Sequence, residues 1–176
     1  MVRIHAKQKH SEASDQQQFL YDCDSTCGID EIALELARIS NLQAKIHALA
    51  IELQPLLLPF HGDPKAISLV RALSEAKSYA SMNQLVYNKP LSYHPLRNHV
   101  KAIDRELSSV SPLPGIPDLD QFRRILTDWE YVNEDTIQLL WAGKVMDKGK
   151  RLSDYIGTNE KTKIVLKLQS PDSYPA

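Results

Sequence analysis

The sequence predicts an α+β fold, with one sheet built from strands at both chain ends and a helical insertion between them. Three observations lead there. Apolar residues alternate with polar ones at the start, alternate again near the end, and recur at helical spacing in between. Neither end can bury its apolar face alone, because an isolated hairpin is marginal in water. A single shared sheet, with the first helix packed across it, satisfies both ends.

The elements follow in order. Val2, Ile4 and Ala6 alternate with Arg3, His5 and Lys7, the period of a strand with one buried face. A polar stretch from Gln8 to Gln17 follows, and then Phe19, Tyr21 and Cys23 alternate with Gln18, Leu20 and Asp22 as a second strand. Ser25, Thr26 and Gly28 end this hairpin, and Asp30 and Glu31 suit the positive end of a helix dipole. From Ile29 the helical stripe is Ile32, Leu36 and Ile39, continued by Ile46, Leu49 and Leu53 beyond an expected bend at Ser40–Asn41. Pro55 is expected to close the helix. Asp63–Pro64 supplies an N-cap and a first-turn proline for a helix carrying Ile67, Val70, Leu73 and Ala76 or Ala80. Ser92 opens another, with Leu96, Val100, Ile103 and Leu107 as its stripe. Ser111 to Pro117 reads as a linker, and Asp118 as the cap of a short helix ending near Trp129.

The strand period then returns. Ile137, Leu139 and Trp141 fall on one face and Leu140 on the other; Ala142–Gly143–Lys144 is a turn and Val145–Met146 a short return. Ile164, Leu166 and Leu168 alternate with Val165 and Lys167 in a last strand. The expected organisation is thus 1–54 as the first part of the sheet domain, 55–131 as a helical insertion, 132–169 as its second part, and 170–176 as a flexible tail.

Composition narrows the function. The 43% hydrophobic and 24% charged content is globular, and the net charge of -1 gives no electrostatic reason to expect nucleic acid or an acidic membrane. No apolar run is long enough for a signal peptide or a membrane span, so a soluble, intracellular chain is expected. Cys23 and Cys27 are spaced C-x3-C without a second pair, which reads as two free thiols rather than a zinc site. The six histidines are scattered, and His94 and His99 do not share a helix face as residues four apart would. No nucleophile-elbow, phosphate-loop or HExxH pattern occurs, and Asp118 with Asp120 reads as a helix cap rather than an acid/base pair. A non-enzymatic chain without cofactor or metal is expected.

Two resemblances add to this reading. Leu139-Leu140-Trp141-Ala142-Gly143-Lys144, then Leu152-Ser153-Asp154-Tyr155 and Ile164-Val165-Leu166-Lys167-Leu168, resemble the second half of ubiquitin in order, with a small deletion before the last strand. This implies a ubiquitin-like β-grasp sheet. The physical roles agree: Gly143 permits a tight turn, Ser153 and Asp154 suit local side-chain hydrogen bonds, and the Tyr155 hydroxyl can find a backbone partner. Conjugation as a modifier is not expected, because the sequence shows Tyr174-Pro175-Ala176 where a modifier needs Gly-Gly. The second resemblance spans about residues 1 to 169. Met1-Val2 with His5 and Lys7, Leu36-Ala37-Arg38-Ile39, Glu75-Ala76-Lys77, Leu152 to Gly157 and Asn159 to Ile164 resemble the cilia- and flagella-associated Kurly family. It implies a non-enzymatic cytoplasmic factor, found also at the cilium or flagellum, that acts in outer dynein arm preassembly or delivery alongside other assembly factors. Animal members continue into a charged, helix-prone tail beyond the last strand, and partner contacts of that tail are not carried over to this sequence.

Leu140, Lys144, Val165 and Lys167 are the candidate partner-binding residues, since the ubiquitin-like reading places an exposed apolar patch there. The competing reading makes Leu140 and Val165 plain core under the insertion. Lys144, Lys148, Lys150 and Arg151 form a basic turn, better read as solvated and partly neutralised by Asp147 and Asp154. Trp129 and Tyr131 read as core anchors. A more general alternative is a ubiquitin-like interaction module docking on a chaperone or a ubiquitin-pathway partner.

Overall fold

The computed structural model describes residues 1–8, 18–81, 83–110, 119–128 and 132–171. The expected loop at 9–17, the linker, Asp118, Trp129, Tyr131 and most of the tail lie outside the described residues. The chain divides into two compact units: Met1–Ser40 with Met82–Ser92 and Val132–Ala176, and Asn41–Ser81 with Tyr93–Tyr131.

The first unit holds strands β1 (Val2–Gln8), β2 (Phe19–Cys23), β3 (Gln138–Trp141), β4 (Lys144–Val145) and β5 (Lys163–Gln169) in one sheet of order β2-β1-β5-β3-β4. β1 and β5 run parallel and the other pairs antiparallel. Both chain ends thus meet in the middle of the sheet, the α+β, β-grasp arrangement expected from the sequence. The inner face carries Val2, Ile4, Ala6, Leu139, Leu166 and Leu168, all buried. It is closed by helix α1 (Ile29–Leu57), whose first half contributes Ile32, Leu36 and Ile39, each 1% exposed or less. The start of α1 is tied to the other chain end through the backbone. Ile29 N–H donates to the Lys150 carbonyl at 2.9 Å, Leu152 N–H to Cys27 O at 2.9 Å, and Ser153 N–H to Ser25 O at 2.7 Å. These bonds satisfy groups that a helix end and a turn leave open.

Ser40 and Asn41, where a bend is expected, lie within the continuous helix; both are buried, and the Ser40 hydroxyl accepts from Gln8 Nε2 at 2.9 Å. One expectation for α1 is corrected: Pro55 does not end the helix. It sits in the last turn, ahead of a 3-10 turn at Leu58–Phe60, and costs a single donor whose lost acceptor belongs to exposed Ile51.

The second unit contains the rest of α1 with α2 (Pro64–Ala80), α4 (Tyr93–Ser109) and α5 (Leu119–Asp128). Asp63 caps α2 as expected, its carboxylate accepting from Lys65 N–H at 2.9 Å with Pro64 in the first turn. The apolar stripe of α2 is shifted from the expected one: Ala66, Leu69, Leu73, Ala76 and Ala80 are buried, while Ile67 is 42% exposed. Leu73, Ala76 and Ala80 belong to both phases, and the small side chain of Ala66 gives the inward phase a closer approach. In α4, Leu96, Ile103 and Leu107 are buried and Val100 only half-buried. Gln43, fully buried, donates from Nε2 to the Ala80 carbonyl at 2.9 Å and so serves the last turn of α2.

The expected helical insertion of 55–131 is interrupted at 82–92, which belongs to the sheet unit. There α3 (Asn83–Val86) leads to Asn88, at φ 57°, and to a bridge between Pro90 and Leu20. Leu91 N–H donates to Leu20 O at 2.7 Å. Since β2 is an edge strand, this segment occupies backbone groups that would otherwise stand open.

Candidate binding surface

The register places the outer face of the sheet residue by residue. Across β1 and β5, Arg3 lies beside Lys163, His5 beside Val165, and Lys7 beside Lys167. Across β5 and β3, Lys167 lies beside Leu140, and across β3 and β4, Leu140 beside Val145. Directly opposed residues share a face, so one row runs Lys7, Lys167, Leu140, Val145, with Val165 one step along β5. Val165 is 44% exposed and Val145 45%, whereas Leu140 is 6% exposed between its neighbours Lys167 and Val145. Lys163 and Lys167 are exposed on either side of Val165.

Three of the four candidate residues therefore meet. Val165 offers open apolar surface, Lys167 flanks it, and Leu140 is the buried floor of the same row. Lys144 does not join them. It pairs with Trp141, whose side chain points to the other face and meets Tyr155 edge-on at 6.0 Å between ring centroids. Val145 was missed in the sequence because a two-residue strand shows no alternation; only its turn spacing from Leu140 could have revealed it.

The hairpin that aims Val145 is a two-residue turn with Ala142 at φ 51° and Gly143 at φ 81°. Two positive φ angles are what a type I′ turn requires. At the opposite rim, Arg3 holds Asp22 with two bonds of 2.8 and 2.9 Å and donates from Nη1 to Asn88 O at 2.9 Å. The bond to Arg3 keeps the Asp22 carboxyl below its ordinary range. His5, beside Val165, bonds Gln18 Oε1 at 3.0 Å. Burial lowers its pKa, opposed by the Gln18 bond and helped by Lys7, which favours the neutral ring.

The remaining candidates are local. Gly149 N–H and Arg151 N–H donate to Asp147 and Asp154 at 2.8 Å, Lys148 reaches Asp135 O at 3.5 Å, and Lys150 lies 5.6 Å from the Tyr155 ring centre. The Tyr155 hydroxyl accepts from Asp147 N–H at 2.7 Å, the backbone partner the sequence called for. Cys23 and Cys27 are free thiols, and burial pushes Cys23 up to about 12. Cys27 lines an open depression of about 290 Å³ with Tyr21, Glu31, Ile32, Leu34 and Glu35. Burial, helped by Glu35, raises the Tyr21 phenol as well, so neither it nor Cys23 supplies an anionic nucleophile at neutral pH. Among the described residues no group of three or more His, Cys, Asp or Glu is placed to hold a metal, and no helix is long and apolar enough to cross a membrane.

Residues 137–176, which contain β3, β4 and β5, match the family model for cilia- and flagella-associated protein 298. A protein of that name from Danio rerio is 32% identical over 111 residues, 57% of this chain and 38% of the relative. Cilia- and flagella-associated protein 298-B of Xenopus laevis is 25% identical over 210 positions, covering 96% of this chain and 75% of its own length. The chain is similar to cilia- and flagella-associated protein 298 over nearly all of its length. The Mus musculus protein 298 is 23% identical over 227 positions, again with 96% of this chain and 76% of the relative. These alignments exceed the 176 residues of this chain, so the protein 298 relatives carry residues without counterparts here. No solved structure matches the chain.

Proposed function

We propose that this chain is a non-enzymatic adaptor of motile cilia and flagella, acting in the cytoplasm in the preassembly or delivery of outer dynein arms. The observation that carries the reading is similarity to cilia- and flagella-associated protein 298 over 96% of the chain. Its binding surface is the outer sheet face, where Val165 and Val145 are open to solvent beside Lys167. Exposed aliphatic residues with a charged rim suit a protein partner. Dynein assembly factors or an associated chaperone system are the partners that this reading names.

Affinity capture of the tagged chain from ciliated cells, followed by mass spectrometry, tests it. Dynein chains or assembly factors are expected to be enriched and to be lost with Val165→Asp, and deletion is expected to impair ciliary motility. If neither a dynein chain nor an assembly factor is enriched, the reading fails. The exposed Val165 also favours a more general role, docking on a chaperone or a ubiquitin-pathway receptor. Enrichment of those proteins without dynein components would select it.

A further inference from the structure

We infer that the outer sheet face selects an acidic partner segment anchored by an aliphatic side chain. This rests on the reading of that face as a protein-binding surface and names the chemistry of its ligand. Val165 stands between exposed Lys163 and Lys167 on β5, and Lys7 lies beside Lys167 on β1. No carboxylate occupies an outer position on β1, β5, β3 or β4. The one acid on the outer side of β2 is Asp22, already committed to Arg3 by two short bonds. The whole chain carries a net charge of -1, so this face is a local surplus of positive charge rather than a sample of the average surface. Burial lowers the pKa of His5 beside Val165, which disfavours a charge there. A segment that sets Leu, Ile or Val on Val165 and Val145 brings its flanking side chains against the lysines, where Asp or Glu is favoured and Lys or Arg repelled.

Selection of a random-peptide library on the intact chain, with fluorescence anisotropy of the enriched peptides, tests the inference. Enriched sequences are expected to combine Asp or Glu with an aliphatic residue. Their affinity is expected to fall as salt is raised, because exposed charge pairs are screened. Val165→Asp removes the apolar seat and adds a like charge, and should weaken binding about tenfold or more. The double change Lys163→Glu with Lys167→Glu should do the same and turn a fresh selection toward basic peptides. Circular dichroism and the thermal midpoint confirm that each variant is folded, and Val165 and the lysines are exposed enough for the substitutions to be tolerated. Neutral or basic consensus sequences, or an affinity that Val165→Asp does not move, would overturn the inference. So would self-association of the chain that Val165→Asp abolishes, since the face would then belong to a second copy. The selection uses no ciliary protein, so its failure leaves the ciliary reading standing, and a failed capture from ciliated cells leaves the acidic preference standing.

Discussion

Ala142 holds a left-handed backbone, φ 51°, at the first position of the hairpin turn that aims Val145. For an L-residue with a Cβ this conformation costs about 1–2 kcal/mol, and asparagine recovers part of it by local hydrogen bonding. Ala142 is exposed, so a substitution there changes backbone preference and little packing. Ala142→Asn is expected to stabilise the hairpin by ~0.5–1 kcal/mol. Ala142→Gly should gain less, about 0.5 kcal/mol, because glycine also loosens the unfolded chain. Ala142→Val should cost about 1 kcal/mol, since a β-branched residue resists positive φ. Two measurements check the series: urea midpoints, and hydrogen exchange of the Met146 amide, which bonds Leu139 O at 2.8 Å across the hairpin. The order Val, Ala, Gly, Asn should appear in both. If Asn were no more stable or protected than Ala, the turn geometry and the register built on it would be wrong.

Three further outcomes follow from individual bonds. Gln43→Leu leaves the Ala80 carbonyl without its buried donor and should cost about 1–3 kcal/mol in denaturant unfolding. Tyr155→Phe removes the acceptor of the Asp147 amide; because Asp147 is exposed and water can replace it, the loss should stay near 0.5–1.5 kcal/mol. His5 has a folded-state pKa below 6.5, so the unfolded chain binds the extra proton first. Its contribution is present above pH 6.5 and is lost as pH falls through the lower folded value. His5→Gln should therefore flatten the fall in stability below pH 6.5, and an unchanged slope would refute the assignment. Asp22 acts in the same direction lower down, below its ordinary value of 3.8.

Much of the sheet was readable because its period is simple. Alternation in Val2–Lys7 and Ile164–Leu168 fixed the faces of β1 and β5, and the structure keeps Val165 outward and Leu166 inward. The turn chemistry of Asp154 and Tyr155 was readable for a different reason: those side chains act on backbone nearby in the sequence, at Arg151 and Asp147. The failures are tertiary. The phase of α2 lies between two overlapping stripes that sequence alone does not rank. The burial of Ser40 and Asn41, and Gln8 as donor to Ser40, come from elsewhere in the chain and leave no local signal. The return of 82–92 to β2 depends on an open strand edge, which no local pattern announces. At the candidate surface, the ubiquitin-like resemblance groups Lys144 with Leu140, and the register sets it on the other face beside Trp141.

The three backbone bonds that join residues 25–29 to 150–153 also constrain how the protein is made. β5 lies between β1 and β3, so the centre of this sheet is missing until β5 has left the ribosome. Until then β1, β2 and the apolar stripe of α1 have been synthesised but lack most of the surface that buries them. Ile32, Leu36 and Ile39 are buried in the folded protein, so nascent chains in that interval are expected to expose them and to be open to aggregation. A truncation before Lys163 removes the strand that joins β1 to β3 and is expected to leave that stripe without its cover, although α1 through α5 all precede it.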